Sequence, residues 1–196
     1  MLWHISDTHF NHSNIMAYEP GRPNGYENII FRNIERLVLP EDTLLHHGDF
    51  TFGPKAERER VASRWKQIDC KEKILILGNH DRHPLSYYEK ECGFTVVVPF
   101  FLVRDRVLFS HYPRAFFGEY RKDERYQRET EELARVYQEQ NCIMQVHGHT
   151  HSWCHPDRDT YMNVSVENIN YSPVSWDVVY AKALANLKLK ETFCND

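Results

Sequence analysis

The chain has 196 residues, of which 41% are hydrophobic and 27% are charged, and its formal net charge is −4. This size and composition are sufficient for a single domain over residues 1–196 with its own buried core, and they exclude an intrinsically disordered chain. The negative net charge argues against a basic surface over the whole chain, such as proteins use to bind nucleic acid without sequence specificity.

Short apolar runs alternate with helical patterns in the first half of the chain. Strands are predicted at Leu2–Ile5, Thr43–His46 and 73–77, and helices at 28–39, 55–68 and 84–91. The run 73–77 is apolar after its first residue, as in a strand that is buried on both faces. Strands that alternate with helices in this way are typical of an α/β domain with helices covering a sheet.

The second half begins with a β-rich region that interrupts this alternation. Strands are predicted at 94–98, 101–103, 107–109, 142–146 and 161–166, and a charged helix at 124–140. The pattern at 181–190 fits either a strand or a terminal helix. The closely spaced strands between 94 and 109 predict a second, partly antiparallel sheet packed on the first.

Polar motifs follow five of the predicted strands directly. They are Asp7-Thr8-His9, Gly48-Asp49, Gly78-Asn79-His80-Asp81, His111 and Gly148-His149-Thr150-His151. Ligands of α/β domains bind outside the carboxyl ends of the strands, so these motifs are expected to meet at one edge. Taken alone, Asp7 or Asp49 is more typical of a turn or helix cap, and His111 of a buried imidazole. Their repeated position after strands favours a metal site.

The residue types in these motifs indicate which ions they suit. In an extended segment, side chains two positions apart point to the same side, so Asp7 and His9 can bind one ion together. Imidazole and carboxylate ligands suit Mn, Fe, Zn, Ni or Co better than Ca or Cu(I). Seven such ligands are too many for one ion and about right for two.

The ordered set of motifs resembles the calcineurin-like metallophosphoesterase family, and the segment 5–15 is similar to small bacterial and phage members. The resemblance implies an α/β fold, a four-layer αββα sandwich of two packed mixed sheets flanked by helices, with two divalent ions at one edge. It assigns one ion to Asp7, His9, Asp49 and His151, and the other to Asp49, Asn79, His111 and His149. Manganese is our first expectation, with Fe, Zn, Ni, Co or Mg as alternatives.

The resemblance also implies a reaction. A hydroxide bridging the two ions would attack phosphorus, with His80 assisting the leaving group and Asp81 orienting His80. The presence of His80 favours a phosphodiester substrate, nucleotide or nucleic-acid-like. A phosphomonoesterase or protein phosphatase is the first alternative, and a non-catalytic scaffold is the second.

Several residues near the motifs are candidates for binding substrate. Arg22, Arg82 and Arg114 are proposed phosphate clamps, and Tyr112 is a proposed stacking surface. His12 and Asn14 either line the pocket or belong to a polar loop. His46, His47, His147 and His155 are expected partly to support the ligands, whereas His4 and His83 are expected in the core or on the surface.

The remaining features concern location and association. The cysteines are scattered without a C-x-x-C pair, which predicts reduced thiols: Cys70, Cys92, Cys142, Cys154 and Cys194. The start of the chain lacks the pattern of a signal peptide, and no apolar run reaches the length of a membrane span, so a cytoplasmic location is expected.

Segment 104–128 interleaves acidic with basic residues and predicts a solvated face, not a nucleic-acid patch. The aromatic residues Phe116, Phe117 and Tyr120 suggest a lid or a dimer contact, but the sequence does not predict an oligomeric state.

Overall fold

The computed structural model describes residues 1–115 and 124–193, with the side chains of the last helix as far as residue 187. The first sheet has five strands in the order β4-β3-β2-β1-β9. They are β1 (Leu2–Ile5), β2 (Thr43–His46), β3 (Glu72–Ile76), β4 (Val96–Val98) and β9 (Val174–Ser175). The first four are parallel, and β9 runs antiparallel to β1. The parallel register pairs Ile5 with His46, and His46 with Leu75, so the loops that follow these strands leave the same edge.

The second sheet has four strands in the order β5-β6-β7-β8. They are β5 (Phe101–Arg104), β6 (Val107–Ser110), β7 (Met144–His147) and β8 (Tyr161–Asn163). The hairpin of β5 and β6 is antiparallel, and β6, β7 and β8 are parallel. This arrangement confirms the predicted second, partly antiparallel sheet, although Val96–Val98 joins the first sheet.

Helices flank the two sheets, and the last of them packs at the edge of the core between the sheets. They are α1 (Ile15–Tyr18), α2 (Tyr26–Leu37), α3 (Lys55–Lys66), α4 (Glu124–Glu139) and α5 (Trp176–Phe193), with a π-helical turn at Tyr87–Glu91. The region 181–190, for which the sequence left two alternatives, therefore lies in a helix. Among the described residues, no helix has both the length and the apolar character needed to cross a membrane.

Side-chain alternation along the strands separates three layers of core. On β2, Leu44 packs with the α2 and α3 side, whereas Leu45 packs between the sheets. On β6, Phe109 faces the space between the sheets and Leu108 packs under α4. Neighbouring residues of a strand point to opposite faces, so each central strand contributes to two cores. The result is the predicted αββα sandwich, in the order α2/α3, first sheet, second sheet, α4.

The segment after β8 joins the two sheets near the predicted ligands. The backbone N–H of Val164 donates to the carbonyl of His147 at 2.8 Å, and the N–H of Ser6 donates to the carbonyl of Val164 at 2.9 Å. This segment was predicted to continue the strand to residue 166, but β8 ends at Asn163. The end of β7 and the end of β1 are thereby held close together. The predicted aromatic cluster at Phe116, Phe117 and Tyr120 and the central part of the mixed-charge segment lie outside the described residues.

Candidate metal centre

The predicted ligands converge at the edge where the parallel strands end. Two clusters form there, Asp7 with His9 and His151, and Asp49 with His111 and His149. Within each cluster the three ligand atoms lie within 4.8 Å of one another. Four loops from both sheets therefore bring together side chains that are up to 144 positions apart in the sequence, from Asp7 to His151.

Asp49 lies between the two clusters. Its Oδ2 atom is 3.5 Å from Nε2 of His9 in the first cluster and 3.6 Å from Nε2 of His111 in its own. Its Oδ1 atom accepts a hydrogen bond from the backbone N–H of His80 at 3.0 Å. One carboxylate oxygen is thus fixed by the loop and the other faces ligand atoms of both clusters, as a bridging ligand requires.

Buried atoms without hydrogen bonds show that the first cluster fits a cation. Among the described residues, neither Oδ1 of Asp7 nor Nε2 of His9 has a hydrogen-bond partner, and both are buried. Oδ1 of Asp7 is 3.8 Å from Nε2 of His9 and 3.9 Å from Nε2 of His151. These distances are too long for hydrogen bonds but suit ligands that share an ion, with each bond about 2.0–2.2 Å long. A bound cation would satisfy groups that are costly to bury unpaired.

The second cluster includes the amide of Asn79. Nδ1 of His111 lies 2.8 Å from the carbonyl oxygen of His47, so this nitrogen is the donor. In the neutral ring, Nε2 then carries the lone pair, and it lies 2.9 Å from Oδ1 of Asn79. With the amide in this orientation, a proton or a cation between the two acceptors would satisfy both, whereas rotation of the amide would give an ordinary hydrogen bond. The donor set of imidazole, carboxylate and amide oxygen suits a divalent transition metal.

The charges of the cluster are strongly coupled. Burial alone would raise the pKa of Asp7, but the imidazoles of His9, His151 and His111 outweigh it and hold this pKa well below its usual range. Burial opposes protonation of His9, yet Asp49 and Asp7 raise the pKa of His9 to about 9. Burial lowers the pKa of His149 to about 3, which keeps this ring neutral and available as a ligand. The carboxylates thus stay ionised and favour positive charge beside them.

The ligand loops have an unusual backbone conformation. Five of the predicted ligands lie in the left-handed region: Asp7 (φ 54°), His9 (φ 46°), Asp49 (φ 55°), His149 (φ 67°) and His151 (φ 45°). This conformation costs a non-glycine residue roughly 1–2 kcal/mol. Such strain is typical of functional sites, where the surrounding structure holds residues in less favourable geometry.

Gly148 allows the two sheets to approach each other at the first cluster. A Cβ atom at this position would overlap Oγ of Ser6 and Oδ2 of Asp7. The same Oδ2 atom accepts hydrogen bonds from the backbone N–H of His149 and the hydroxyl of Ser165, each at 2.9 Å. One oxygen of Asp7 is therefore held by residues that follow β7 and β8. The other oxygen has no hydrogen-bond partner among the described residues and is available to a metal.

Glu167 is a site residue that the sequence reasoning missed. Its Oε1 atom is 3.4 Å from Nδ1 of His151, and Arg22 forms a buried ion pair with the same carboxylate. The guanidinium of Arg22 also donates to the carbonyls of Asp7 and Thr8, each at 3.0 Å. Arg22 was expected to clamp phosphate, but its side chain is fully buried behind the ligand loop. It instead holds Glu167, which orients His151.

Asp81 also has a role other than the expected one. Its Oδ2 atom accepts hydrogen bonds from the N–H groups of Asp49 at 2.7 Å and Gly78 at 2.9 Å, and Oδ1 accepts from Phe50 at 3.0 Å. Burial and the charge of Asp49 raise the pKa of Asp81 to about 6. Both oxygens are engaged by backbone, so Asp81 fixes the loop that carries Asp49 instead of orienting the imidazole of His80.

Comparison with known proteins identifies the family. The sequence model of the calcineurin-like phosphoesterases matches residues 1–153, which contain all five motifs. The chain belongs to the calcineurin-like phosphoesterase family. Membership makes it a metal-dependent phosphoric ester hydrolase, and the two His/Asp clusters could hold its metal ions.

Two relatives of this phosphoesterase extend the similarity over nearly the whole chain. An uncharacterized protein of Methanocaldococcus jannaschii is 27% identical over 192 residues, covering 91% of this chain and 88% of its own length. The crystal structure of a protein of unknown function from Aquifex aeolicus is 33% identical and superimposes with a TM-score of 0.78. That match covers 92% of this chain and 98% of the other. The α/β sandwich of this phosphoesterase is therefore shared with the Aquifex aeolicus protein along nearly the whole length of both chains.

Aromatic rings line the phosphoesterase beside the two His/Asp clusters. His80 has a side chain that is 43% exposed, with Nε2 4.0 Å from Oδ2 of the buried Asp49. Nδ1 of His12 is 3.1 Å from Nδ1 of His9, and the His12 ring stacks on Phe52 at 4.3 Å. The centroid of His80 lies 5.0 Å from that of Phe52. His12 thus lies beside a predicted ligand, and no motif in the sequence indicated Phe52.

Two of the predicted substrate-binding residues have structural contacts in this phosphoesterase. The guanidinium of Arg114 lies 3.8 Å from the ring centroids of both Tyr137 and Tyr161, and it donates to Thr160 Oγ1 at 2.9 Å. Stacking on both faces leaves it poorly suited to clamp phosphate, contrary to our expectation. The ring of Tyr112 is 7% exposed and packs edge-on against His149 at 4.5 Å. It buttresses a ligand, and so little of it is exposed that a base could not stack on it.

The other predicted residues of this phosphoesterase lie as follows. Arg82 is exposed, with Nε donating to the carbonyl of Asn79 at 2.8 Å, and Asn14 is exposed beside α1.

The ring of His46 donates to Thr8 Oγ1 at 3.0 Å and accepts from the N–H of Gly48 at 3.1 Å, which ties the first two ligand loops together. His4 lies in the core, with its Nδ1 3.1 Å from Nε2 of His47.

Proposed function

We propose that this phosphoesterase hydrolyses a phosphodiester, nucleotide or nucleic-acid-like, at a centre of two divalent ions, with manganese as the first expectation. The position of Asp49 between the two clusters is the observation that carries the proposal. One ion would be held by Asp7, His9, Asp49 and His151, and the other by Asp49, Asn79, His111 and His149. When bound, the ions would supply positive charge to the phosphoryl oxygens and lower the pKa of a water that acts as nucleophile.

His80 is the residue that we assign to the leaving group. It is the exposed imidazole of the site, and its Nε2 atom is 4.0 Å from the proposed bridging carboxylate. The phosphate group of a substrate bound beside Asp49 would therefore lie within reach of the His80 ring. Burial lowers the pKa of His80 and the charge of Asp49 partly opposes this, so the protonated ring is a stronger acid than a free imidazole, although a smaller fraction of the rings carries the proton at neutral pH. Proton donation matters most for diesters with a poor leaving group.

Arg82 is proposed to bind the phosphate of the substrate. Its Nε atom is held by the carbonyl of Asn79, one residue before His80. No further hydrogen bond of the Arg82 side chain is formed within the described residues, so its terminal nitrogens can bind phosphate oxygens. Asn14 and His12 remain candidates for the opposite wall.

Two model substrates, a diester and a monoester, distinguish the proposed phosphodiesterase from a phosphomonoesterase. Hydrolysis of bis-p-nitrophenyl phosphate and p-nitrophenyl phosphate would be compared with Mn, Ni, Mg and Zn. We expect metal-dependent activity with a higher kcat/KM for the diester, and loss of activity on both substrates in Asp49→Asn. A higher kcat/KM for the monoester would assign the centre to a phosphomonoesterase. Metal-free protein without metal-stimulated activity would indicate a scaffold.

A further inference from the structure

A cavity of about 210 Å³ lies beside the carboxyl ends of β7 and β8. Its lining, as far as the chain is described, includes His147, Met162 and Lys182 but none of the predicted metal ligands. Asn163 and Asn168 also line it, and both donate a hydrogen bond to the carbonyl of His151. The cavity is therefore separate from the metal centre but connected to one of its loops.

A buried acceptor faces this cavity. His147 is fully buried, and its Nδ1 atom donates to the carbonyl of Gly148 at 2.8 Å. Within the described residues, Nε2 of His147 has no hydrogen-bond partner. In the neutral ring this nitrogen is an acceptor, and buried acceptors are almost always satisfied by protein, water or a ligand. A molecule that binds here should thus supply a hydrogen-bond donor.

The same cavity has two cationic side chains. Nζ of Lys182 donates to the carbonyl of Tyr161 at 3.1 Å, which uses one of its three protons. The guanidinium of Arg158 is exposed and makes no hydrogen bond or ion pair within the described residues. The neighbouring carboxylate of Asp157 is already occupied by the N–H groups of Asp159 and Thr160. Two cations are therefore available to an anion.

We propose that this cavity is a second phosphate site, which takes hydrogen phosphate or a small phosphate monoester. The anionic oxygens bind Arg158 and Lys182, and a hydroxyl on phosphorus or on the ester carbon chain donates to Nε2 of His147. Hydrogen phosphate and its small esters carry negative oxygens and a hydroxyl within a few ångströms, which matches this pairing of two cations with one acceptor. The volume suits a molecule of this size and excludes a nucleic-acid strand.

Methionine methyl NMR tests the site without relying on turnover. Met162 lines the cavity and is one of four methionines in the chain. Magnesium-saturated protein with 13C-labelled methionine methyls would be titrated with inorganic phosphate and, separately, with glycerol 3-phosphate. We expect a saturable shift of the Met162 signal that persists in Asp49→Asn, where binding at the metal centre is impaired. The ligand with the lower Kd identifies the source of the phosphate.

Charge variants make the test specific. Arg158→Gln and Lys182→Gln should each raise the Kd at least tenfold, whereas Arg135→Gln, on the exposed face of α4, should leave it unchanged. Arg158 is exposed, so its variant removes charge without disturbing the core. The proposal is wrong if neither ligand shifts Met162, if both charge variants bind normally, or if the shift disappears in Asp49→Asn. Because no reaction is measured, these outcomes are independent of the proposed phosphodiesterase activity.

Discussion

Oε1 of Glu167 lies 3.4 Å from Nδ1 of His151, on the ring nitrogen opposite the one that faces Asp7. Burial opposes protonation of His151, but the hydrogen bond that its ring donates to Glu167 and the charge of Asp7 raise the pKa of His151. A carboxylate on the far nitrogen fixes the orientation of a metal-binding histidine and makes it a stronger ligand. The pair links a residue without a recognisable motif to the metal centre.

We predict that Glu167→Gln weakens metal binding by about 10- to 100-fold, as is typical when such a supporting carboxylate is lost. The amide keeps the shape of the side chain but removes the charge that holds His151. Competition with a chromophoric chelator would measure the affinity. Glu139→Gln, an exposed glutamate paired with Arg135, is the matched control and should bind metal normally. Equal affinities in the two variants would show that Glu167 does not act on the ligand.

Arg22 should matter mainly for stability. Its side chain is fully buried and paired with Glu167, whose side chain is 7% exposed. Arg22→Met leaves this carboxylate without its partner, and we expect a loss of about 3–5 kcal/mol in the free energy of unfolding. Urea denaturation would measure it. The double variant Arg22→Met/Glu167→Met should recover much of the loss, and a double variant less stable than either single one would contradict this explanation.

His80→Ala should separate metal binding from turnover. The His80 ring meets predicted ligands at two places, with Nε2 4.0 Å from Oδ2 of Asp49 and an edge-on ring contact with His9 at 5.9 Å. Neither contact is a hydrogen bond, so the variant should retain both ions. We expect kcat for diesters with poor leaving groups to fall by about 10²–10⁴-fold, and less for nitrophenyl esters, because protonation matters most for a poor leaving group. His83→Ala is the control, since His83 packs against Tyr87 away from the ligands. Normal rates on poor leaving groups in His80→Ala would remove His80 from the mechanism.

Gly148→Ala should weaken the metal centre by steric overlap, without removing any predicted ligand. The added methyl would overlap Oγ of Ser6 and Oδ2 of Asp7. We expect a loss of about 1–3 kcal/mol in stability, typical of overpacking, together with weaker metal binding. Thermal unfolding with and without metal would show both effects. Gly21→Ala is the control, because a Cβ there meets no atom within 4 Å. Unchanged Tm and metal affinity in Gly148→Ala would mean that the sheets do not approach as closely as described.

The strands that precede the motifs could be predicted from the sequence, because their apolar runs are easy to recognise. Asp7 and His149 have their places in the site because β1 and β7 end at the same edge, which the strand pattern indicated. The partners of Arg22 and Arg114 could not be found in this way. Glu167 lies 145 positions from Arg22, and Tyr161 lies 47 positions from Arg114, with no periodicity linking them.

Short elements were also beyond the reach of the sequence. β9 has two residues and α1 has four, too few to establish a hydrophobic period. β8 was predicted too long because Val164 and Val166 are apolar and buried, although their backbone bonds cross to His147 and Ser6. Such bonds depend on the packing of two sheets, so no local pattern reports them.

Anomalous X-ray diffraction from crystals grown with manganese tests the central claim, that Asp49 bridges two ions, most directly. We expect two anomalous peaks on either side of the Asp49 carboxylate, one beside Asp7, His9 and His151 and the other beside Asn79, His111 and His149. Asp49→Asn should lose at least one of them. A single peak, or ions bound away from Asp49 at full metal occupancy, would contradict the dinuclear centre.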